Sequence, residues 1–285
     1  MVGFIDTPHG RLINARSAGD QNDEVSDRDP SPWVDYKIRR SEEEKRGLAA
    51  FCVRHMLQDV DGPALVVQLA SGTTNTYVMD QMISALSEED LALDLTVVTT
   101  NLTVMELGRD ALRHRKRVDS LQVIVTGGTT NWSLHSLLGE HAAMGVASPS
   151  YYPDYVVFGA KGISFRDGRL RLLYQFESEL ATQRAYATRP TYERIVLCDD
   201  SKLRERVGFE LPVDPADLMR DADRLTFVLT RPADEEPDWF SREKKGFIDL
   251  AEAIRSRLDA KSRTEKKVRL FVVGDDGRTT EKIDG

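Results

Sequence analysis

Cysteine is scarce in this chain of 285 residues, which holds two, Cys52 and Cys198. Both lie in apolar runs, as is typical of small buried side chains, and this argues against a disulfide framework. The five histidines show no metal-ligand spacing with the cysteines. The sequence therefore predicts no metal site of the Cys/His type, and no metal is expected.

Long apolar runs and an excess of positive charge are also missing. No apolar stretch approaches the roughly 20 residues of a membrane span, and the N-terminus lacks the charged and apolar regions of a signal peptide. We therefore expect a cytoplasmic protein with no membrane partner. The formal net charge of −8 and the pI of about 5.3 argue against a general electrostatic grip on nucleic acid, which needs a basic face.

The chain does contain strand-like apolar runs that alternate with helical patterns. This alternation predicts an α/β fold, a mostly parallel doubly wound sheet covered by helices on both faces. The composition changes near Pro32, so residues 1–34 are expected to form a flexible arm and residues 35–285 one α/β ligand-binding domain. Strands are expected at 65–67, 95–98, 121–125, 155–158, 194–198, 225–229 and 268–273, a hairpin around 163–172, and helices at 102–112, 133–145 (helix or turn), 177–187 and 245–258.

A polar cluster follows the carboxyl end of each of five predicted strands. In an open α/β sheet this edge is where ligands bind. Any single cluster is explained by loop chemistry, since loops use Gly, Asn and Thr in any case. Five at the same edge favour a binding site. The clusters are residues 71–75, 99–101, 127–131, 159–162 and 199–202.

The first of these clusters joins a strand to a helix with a loop of hydroxyls and glycine. The hydroxyls of Ser71, Thr73 and Thr74 and the free backbone N–H groups of a helix N-terminus suit an anion, above all a phosphate. Alternatively, the same hydroxyls only cap the helix. No lysine follows Gly72 as in a Walker A loop, which disfavours an NTPase, and we expect no cofactor.

The order of these motifs resembles the C-terminal effector-sensing domain of DeoR-type transcriptional regulators, a fold shared with ribose-5-phosphate isomerase and glucosamine-6-phosphate deaminase. In that family an Arg- and Lys-containing helix, similar to the helix with Lys45, leads into a D-S-G-T-T loop. The family motifs D-S-G-T-T, T-N-S, paired glycines, G-A-D-G-I, E-x-x-x-K-R-A and D-S-S-K are similar to residues 70–74, 100–102, 127–128, 159–163, 179–185 and 199–202. The resemblance covers residues 37–273.

The resemblance implies that the chain binds a phosphorylated sugar or a related anionic metabolite. Residues 71–74 would hold the phosphate, and Asn101 and Gly128 would line the sugar side. Lys202 would supply a cation to an anionic group. The predicted ligand-binding residues are Ser71, Gly72, Thr73, Thr74, Asn75, Thr100, Asn101, Gly127, Gly128, Lys161, Glu179, Asp199 and Lys202.

Three departures from the family pattern alter the charge of the predicted site. Ala70 replaces the first Asp of D-S-G-T-T, Lys161 replaces the Asp of G-A-D-G-I, and Gln183 replaces the Lys before Arg184. The charge reversal at Lys161 favours a ligand with more negative charge than a simple sugar phosphate.

The residues before the first helix show no pair of amphipathic helices joined by a short turn, so the family's helix-turn-helix is expected to be missing. By resemblance we expect a sensor module that forms a homo-oligomer. We also expect no direct specific DNA binding, so that any DNA response passes through a separate regulatory partner protein.

Two other functions stay open beside the sensor. A sugar-phosphate isomerase or deaminase needs a carboxylate base near the substrate carbon. The family's isomerases carry a carboxylate-rich D-G-A-D-E stretch where residues 158–162 carry none, which disfavours an enzyme, and no catalytic residue is assigned. A structural partner that has lost its ligand is disfavoured by the intact 71–74 loop and Lys202. The available carboxylates are Glu177, Glu179, Asp199 and Asp200.

Overall fold

The structure is a computed structural model, and within the residues it describes the backbone follows the expected alternation of strands and helices. The described residues are 3–7, 10–14, 42–88, 93–114, 120–166, 169–205, 207–232, 237–258 and 265–284. The strands are β1 (Gly3–Thr7), β2 (Gly10–Asn14), β3 (Ala64–Leu69), β4 (Asp94–Thr99), β5 (Leu121–Val125), β6 (Thr129–Asn131), β7 (Ser136–Leu138), β8 (Tyr155–Gly159), β9 (Gly162–Arg166), β10 (Arg169–Tyr174), β11 (Thr191–Cys198), β12 (Phe209–Glu210), β13 (Ala222–Thr230), β14 (Lys267–Val273) and β15 (Thr279–Asp284). The helices are α1 (Glu42–Gln58), α2 (Thr73–Glu88), α3 (Leu102–His114), α4 (Glu140–Val146), α5 (Leu180–Thr188), α6 (Asp200–Arg204), α7 (Asp217–Arg220) and α8 (Asp238–Arg257).

An eight-stranded sheet organises the domain, in the order β15-β14-β13-β11-β8-β3-β4-β5. All neighbouring strands are parallel except β15, which runs antiparallel to β14. The predicted mostly parallel α/β fold is therefore confirmed. The chain builds outward from β3 through β4 and β5 on one side, and from β8 through β11, β13 and β14 on the other. Strand order thus reverses between β3 and β8, which is the position where open α/β sheets bind ligands.

The sheet buries apolar side chains on both faces, and each face has its own core. Helices α1, α2 and α3 cover one face, where Met56 and Met79 pack against Val67 of the sheet. Helices α5 and α8 cover the other face together with a small antiparallel sheet, in the order β12-β10-β9. On that face Phe247 of α8 packs with Phe227 of β13. The domain is therefore doubly wound, as the sequence predicts.

The segment 133–145, expected as a helix or turn, contains a turn up to His135 and the start of a helix at Glu140, with an unexpected short strand between them. Residues 129–138 form the hairpin β6–β7, and helix α4 begins only at Glu140. The spacing of Leu134, Leu137 and Leu138 imitates a helix, but contacts with the rest of the fold decide the conformation. Leu137 donates its N–H to the carbonyl of Thr100, so the hairpin is held against the chain after β4.

Two other boundaries also differ from the sequence pattern. Helix α8 begins at Asp238 instead of 245, because Trp239 and Phe240 add a first turn that starts directly after Pro237. A 3-10 turn at Glu177–Glu179 precedes α5, where one continuous helix was expected. The expected hairpin partners β9 and β10 pair antiparallel, and residues 167 and 168 of the turn itself lie outside the described residues.

Of the expected N-terminal arm, the structure describes β1 and β2, which pair antiparallel with each other. The remaining residues of 1–34 lie outside the described residues, so the flexible arm stays a prediction. Among the helices in the described ranges, none is long and apolar enough to cross a membrane.

Gly246 is expected to control how closely α8 approaches β9. A Cβ at this position would lie 1.4 Å from the carbonyl oxygen of Phe165, whose N–H is bound to Glu243 of the same helix at 2.7 Å. The helix and strand are tied together here and have no room to adjust. A Gly→Ala change in an open helix stabilises by roughly 0.5–1 kcal/mol. We expect Gly246→Ala instead to lower the free energy of unfolding by about 1–3 kcal/mol or more, measured by urea denaturation.

The control for this change is Gly127→Ala, because a Cβ at Gly127 meets no atom within 4 Å. Its free energy of unfolding should change by less than about 0.5 kcal/mol. An unchanged or higher stability of Gly246→Ala would contradict the close approach of α8 to β9.

Candidate ligand-binding site

A cavity of about 320 Å³ lies at the carboxyl ends of β3 and β8, where the strand order reverses. Its walls come from the loop after β3, the first turn of α2, the β6–β7 turn, the loop after β8, and helices α5 and α6. Most of the predicted ligand-binding residues line it. These are Ser71, Gly72, Thr73, Thr74, Asn75, Asn101, Lys161, Glu179 and Lys202.

Hydroxyls and a helix N-terminus form one end of the cavity. Gly72 has a φ of +125°, a conformation that favours glycine, and this turn leads from β3 into α2. The first N–H groups of a helix have no partner within it, so α2 presents donors together with the hydroxyls of Thr73 and Thr74. Gln183 donates its side-chain N–H to the hydroxyl of Ser71 at 2.9 Å. This arrangement of donors suits an anion.

Two buried asparagines hold this loop in place from either side. The Asn75 Nδ2 donates to the carbonyl of Ala70 at 2.8 Å. The Asn101 Nδ2 donates to the carbonyl of Gly72 at 3.1 Å, and its Oδ1 accepts from the Thr103 N–H at 3.0 Å at the start of α3. Both asparagines are 2 % exposed. They therefore fix the shape of the loop as well as lining the cavity.

Three lysines line the same cavity from different parts of the chain. Lys45 of α1 is buried, Lys161 lies in the loop after β8, and Lys202 lies on α6. The carboxylates that line the cavity with them are Glu179 and Glu205, and Glu205 lies 3.8 Å from the Lys161 ammonium. The cavity therefore has more positive than negative side chains, in a chain whose formal net charge is −8.

Glu179 and Tyr174 form the wall beside the loop after β8. The Glu179 Oε1 accepts the N–H of Phe176 at 2.9 Å, and the side chain is 5 % exposed. The Tyr174 hydroxyl donates to the carbonyl of Gly159 at 3.0 Å. Burial, with the charge of Glu179 adding to it, raises the pKa of Tyr174, so the phenol stays neutral. Of the four carboxylates considered for a general base, Glu179 is the one that lines the cavity.

Four predicted residues lie outside the cavity lining, namely Thr100, Gly127, Gly128 and Asp199. Thr100 is fully buried, and its N–H donates to the Tyr186 hydroxyl at 3.1 Å. A Cβ at Gly128 would lie 2.8 Å from the Cβ of Ala142, so this glycine lets the hairpin pack against α4. Both positions therefore have structural roles in the fold.

Other residues line the cavity without belonging to the predicted set. Ser133 and Leu134 come from the β6–β7 turn. The sequence did not indicate a hairpin here because the leucines of this segment have helical spacing. Lys45 and Gln183 belong to stretches that are similar to family motifs, so the resemblance could have indicated them as cavity residues. The further lining residues include Thr103, Tyr174, Ser201 and Glu205.

Residues 41–213 match the family model of the DeoR C-terminal sensor domain, which is more than half of the chain. The chain therefore belongs to this family. A comparison with curated proteins found no match.

Solved structures of two kinds are similar to the chain. Ribose 5-phosphate isomerase A from Methanocaldococcus jannaschii is 16% identical, with 57% of this chain and 54% of that chain covered and a TM-score of 0.38. The isomerase from Plasmodium falciparum is 15% identical, with 55% and 52% covered and a TM-score of 0.35. The eIF2B beta structure from Chaetomium thermophilum is 15% identical, with 59% and 45% covered and a TM-score of 0.35. The chain thus spans about half the length of these structures.

Asn101 is expected to have two separable roles. Its Oδ1 caps α3, and its Nδ2 holds the carbonyl of Gly72 in the loop after β3. Asn101→Ala removes both, and we expect a loss of about 0.5–2 kcal/mol in the free energy of unfolding from the cap alone. Asn101→Asp keeps the capping oxygen but removes the donor to Gly72. It should restore much of the stability and still speed hydrogen exchange of the amides of residues 72–76.

Hydrogen exchange followed by mass spectrometry measures the second effect, and urea denaturation measures the first. If Asn101→Asp leaves hydrogen exchange in the loop at the wild-type rate, the Asn101 side chain does not restrain the loop.

Proposed function

We propose that the chain is a sensor of a phosphorylated sugar or a related anionic metabolite, acting in transcription regulation. The observation that carries the proposal is the hydroxyl-lined start of α2, which shares one cavity with Lys45, Lys161 and Lys202. Membership of the DeoR sensor family supports it. The phosphate is assigned to residues 71–74, and the lysines neutralise charge at the other walls.

The size and charge of the cavity indicate the class of ligand. A volume of about 320 Å³ suits a small metabolite. Lys161 replaces an acidic residue of the family pattern, and its ammonium is 3.8 Å from Glu205, which is longer than a hydrogen bond. A ligand with a second anionic group, such as another phosphate or a carboxylate, would meet this lysine while the loop holds the first group.

The remaining parts of the proposal concern assembly and signalling. We propose a cytoplasmic homo-oligomer that passes its signal to a separate regulatory partner and does not itself read DNA. The formal net charge of −8 supports the last point, since specific DNA binding relies on a basic face.

Removing the two loop hydroxyls is expected to weaken ligand binding. In Thr73→Val with Thr74→Val, each lost hydrogen bond to a charged group should cost about 1.5–3 kcal/mol of binding free energy. Isothermal titration calorimetry with a panel of mono- and bisphosphorylated sugars measures this loss. Absence of binding by the wild type across the panel would contradict the sensor proposal.

The matched control is Thr279→Val with Thr280→Val, which removes two adjacent hydroxyls from β15, remote from the cavity. Its affinity should equal that of the wild type. Unchanged affinity in the Thr73 and Thr74 double variant would remove the loop from the site.

Lys161→Ala should weaken the binding of a doubly anionic ligand more than the binding of a singly anionic one. Equal losses of affinity for the two ligands would argue against a second anionic group at Lys161.

A sugar-phosphate isomerase or deaminase is the second candidate, because the buried carboxylate of Glu179 lines the cavity. Such an enzyme exchanges the proton beside the substrate carbonyl with solvent through a general base. We expect no exchange above background when five- and six-carbon sugar phosphates are followed by NMR in heavy water. Exchange that disappears in Glu179→Gln would establish an enzyme and overturn the sensor proposal, whereas binding without exchange supports the sensor.

A further inference from the structure

A second group of charged side chains lies next to the cavity and contributes no side chain to it. It is formed by three carboxylates, Glu44 of α1, Asp199 after β11, and Asp200 at the start of α6. Carboxylate oxygens of all three lie within 4.8 Å of one another. Asp199 and Asp200 are buried, at 1 % and 8 % exposed.

Each of these carboxylates uses one oxygen in a bond to the protein. The Glu44 Oε2 accepts from the hydroxyl of Thr230 at 3.1 Å and from the N–H of Asp200 at 3.4 Å. The Asp199 Oδ1 accepts from the hydroxyl of Ser201. These bonds occupy one oxygen of Glu44 and one oxygen of Asp199.

The second oxygen of Asp199 is the most informative atom of the group. The Asp199 Oδ2 is shielded from solvent and has no hydrogen-bond partner among the described residues. A buried carboxylate without a partner is costly, so this atom points to a group that the protein itself does not supply.

Arg204 does not neutralise this group. Its guanidinium contacts the Oδ2 of Asp200, and its side chain is 59% exposed. Within the described residues, no salt bridge joins it to Glu44 or Asp199. A different cluster, the His55 group, consists of His55, Asp59 and Glu193, and there the Arg224 guanidinium contacts both carboxylates. Among the salt bridges of the described residues, Arg224 thus contacts both carboxylates of the His55 group, whereas Arg204 contacts only Asp200 of the group around Asp199.

The third carboxylate is also a departure from the family pattern. The D-S-S-K motif of the family has serine where this chain has Asp200, so the substitution adds a negative charge beside Asp199. The third carboxylate adds negative charge beside the half-buried Glu44 and the buried Asp199, and Arg204 contacts only Asp200.

We propose that Glu44, Asp199 and Asp200 bind a divalent cation of the oxygen-seeking class, Ca²⁺ or Mg²⁺. Carboxylate oxygens are the ligands that these ions prefer, and water completes their coordination. The spacing of Cys and His in the sequence could not reveal such a site, because Glu44 is brought to Asp199 only by the packing of α1 against the sheet. The proposal does not depend on the sugar-phosphate ligand, and either can fail alone.

The test is titration of the full-length, chelator-treated protein with Ca²⁺ and with Mg²⁺ by calorimetry. We expect saturable binding of one of them at one site per chain. Asp200→Ser restores the family residue and should weaken that binding at least about tenfold, the scale on which lost metal-site interactions act. Glu252→Gln removes the same charge from an exposed position on α8 and should bind as the wild type does.

Terbium luminescence locates the bound ion. Trp239 stacks on the Arg204 guanidinium, with 5.1 Å from Cζ to the ring centroid, so its indole lies near the proposed site. Tb³⁺ should show luminescence excited through tryptophan, displaced by Ca²⁺, weakened in Asp200→Ser and greatly reduced in Trp239→Phe. The Trp239→Phe variant should keep its calorimetric Ca²⁺ or Mg²⁺ affinity.

Each alternative result decides against the site. No saturable binding of either ion by the wild type would contradict the proposed cation site. Equal binding by wild type and Asp200→Ser would place the ion elsewhere on this acidic chain. Equal weakening in Asp200→Ser and Glu252→Gln would show a general charge effect.

Discussion

The parallel pairing of β3 with β8 is the constraint on which the rest of the site depends. Val67 lies opposite Tyr155 and Leu69 opposite Val157, so β8 continues two residues beyond the end of β3 at the same edge of the sheet. The Ala70 N–H extends the pairing by one bond, to the carbonyl of Val157 at 3.0 Å. Since the chain leaves these strands in opposite directions across the sheet, the crevice between their loops stays open. The loops after β3 and β8 supply the proposed phosphate loop and Lys161.

Buried side-chain amides then make this crevice a fixed shape. Asn75 and Asn101 hold the carbonyls of Ala70 and Gly72, and Gln183 holds the hydroxyl of Ser71. A loop that is already ordered loses less conformational entropy when a ligand binds. The loop is therefore already ordered for the proposed anion, and the amides that hold it belong to the proposed site together with the hydroxyls.

Most of the fold could be predicted from the sequence, because strand-like apolar runs and helical spacing report local structure directly. The loop at 71–74 was also predictable, since its hydroxyls and glycine directly follow such a run. The hairpin that supplies Ser133 and Leu134 was not, because contacts with the chain after β4 override its helical spacing. The positions of Gly128 and Lys45 relative to the cavity depend on packing between elements that are distant in sequence. Periodicity carries no information of that kind.

Helix α6 connects the two proposed sites, because its single turn faces both of them. Asp199 and Asp200 meet Glu44 on one side, while Ser201 and Lys202 line the cavity on the other. A cation held by the carboxylates would fix the position of the Lys202 backbone, and an anion held by Lys202 would fix the carboxylates. Any coupling between two such ligands must be reciprocal, since each changes the free energy of binding the other by the same amount. The residue that creates this connection is Asp200, where the family pattern has a serine.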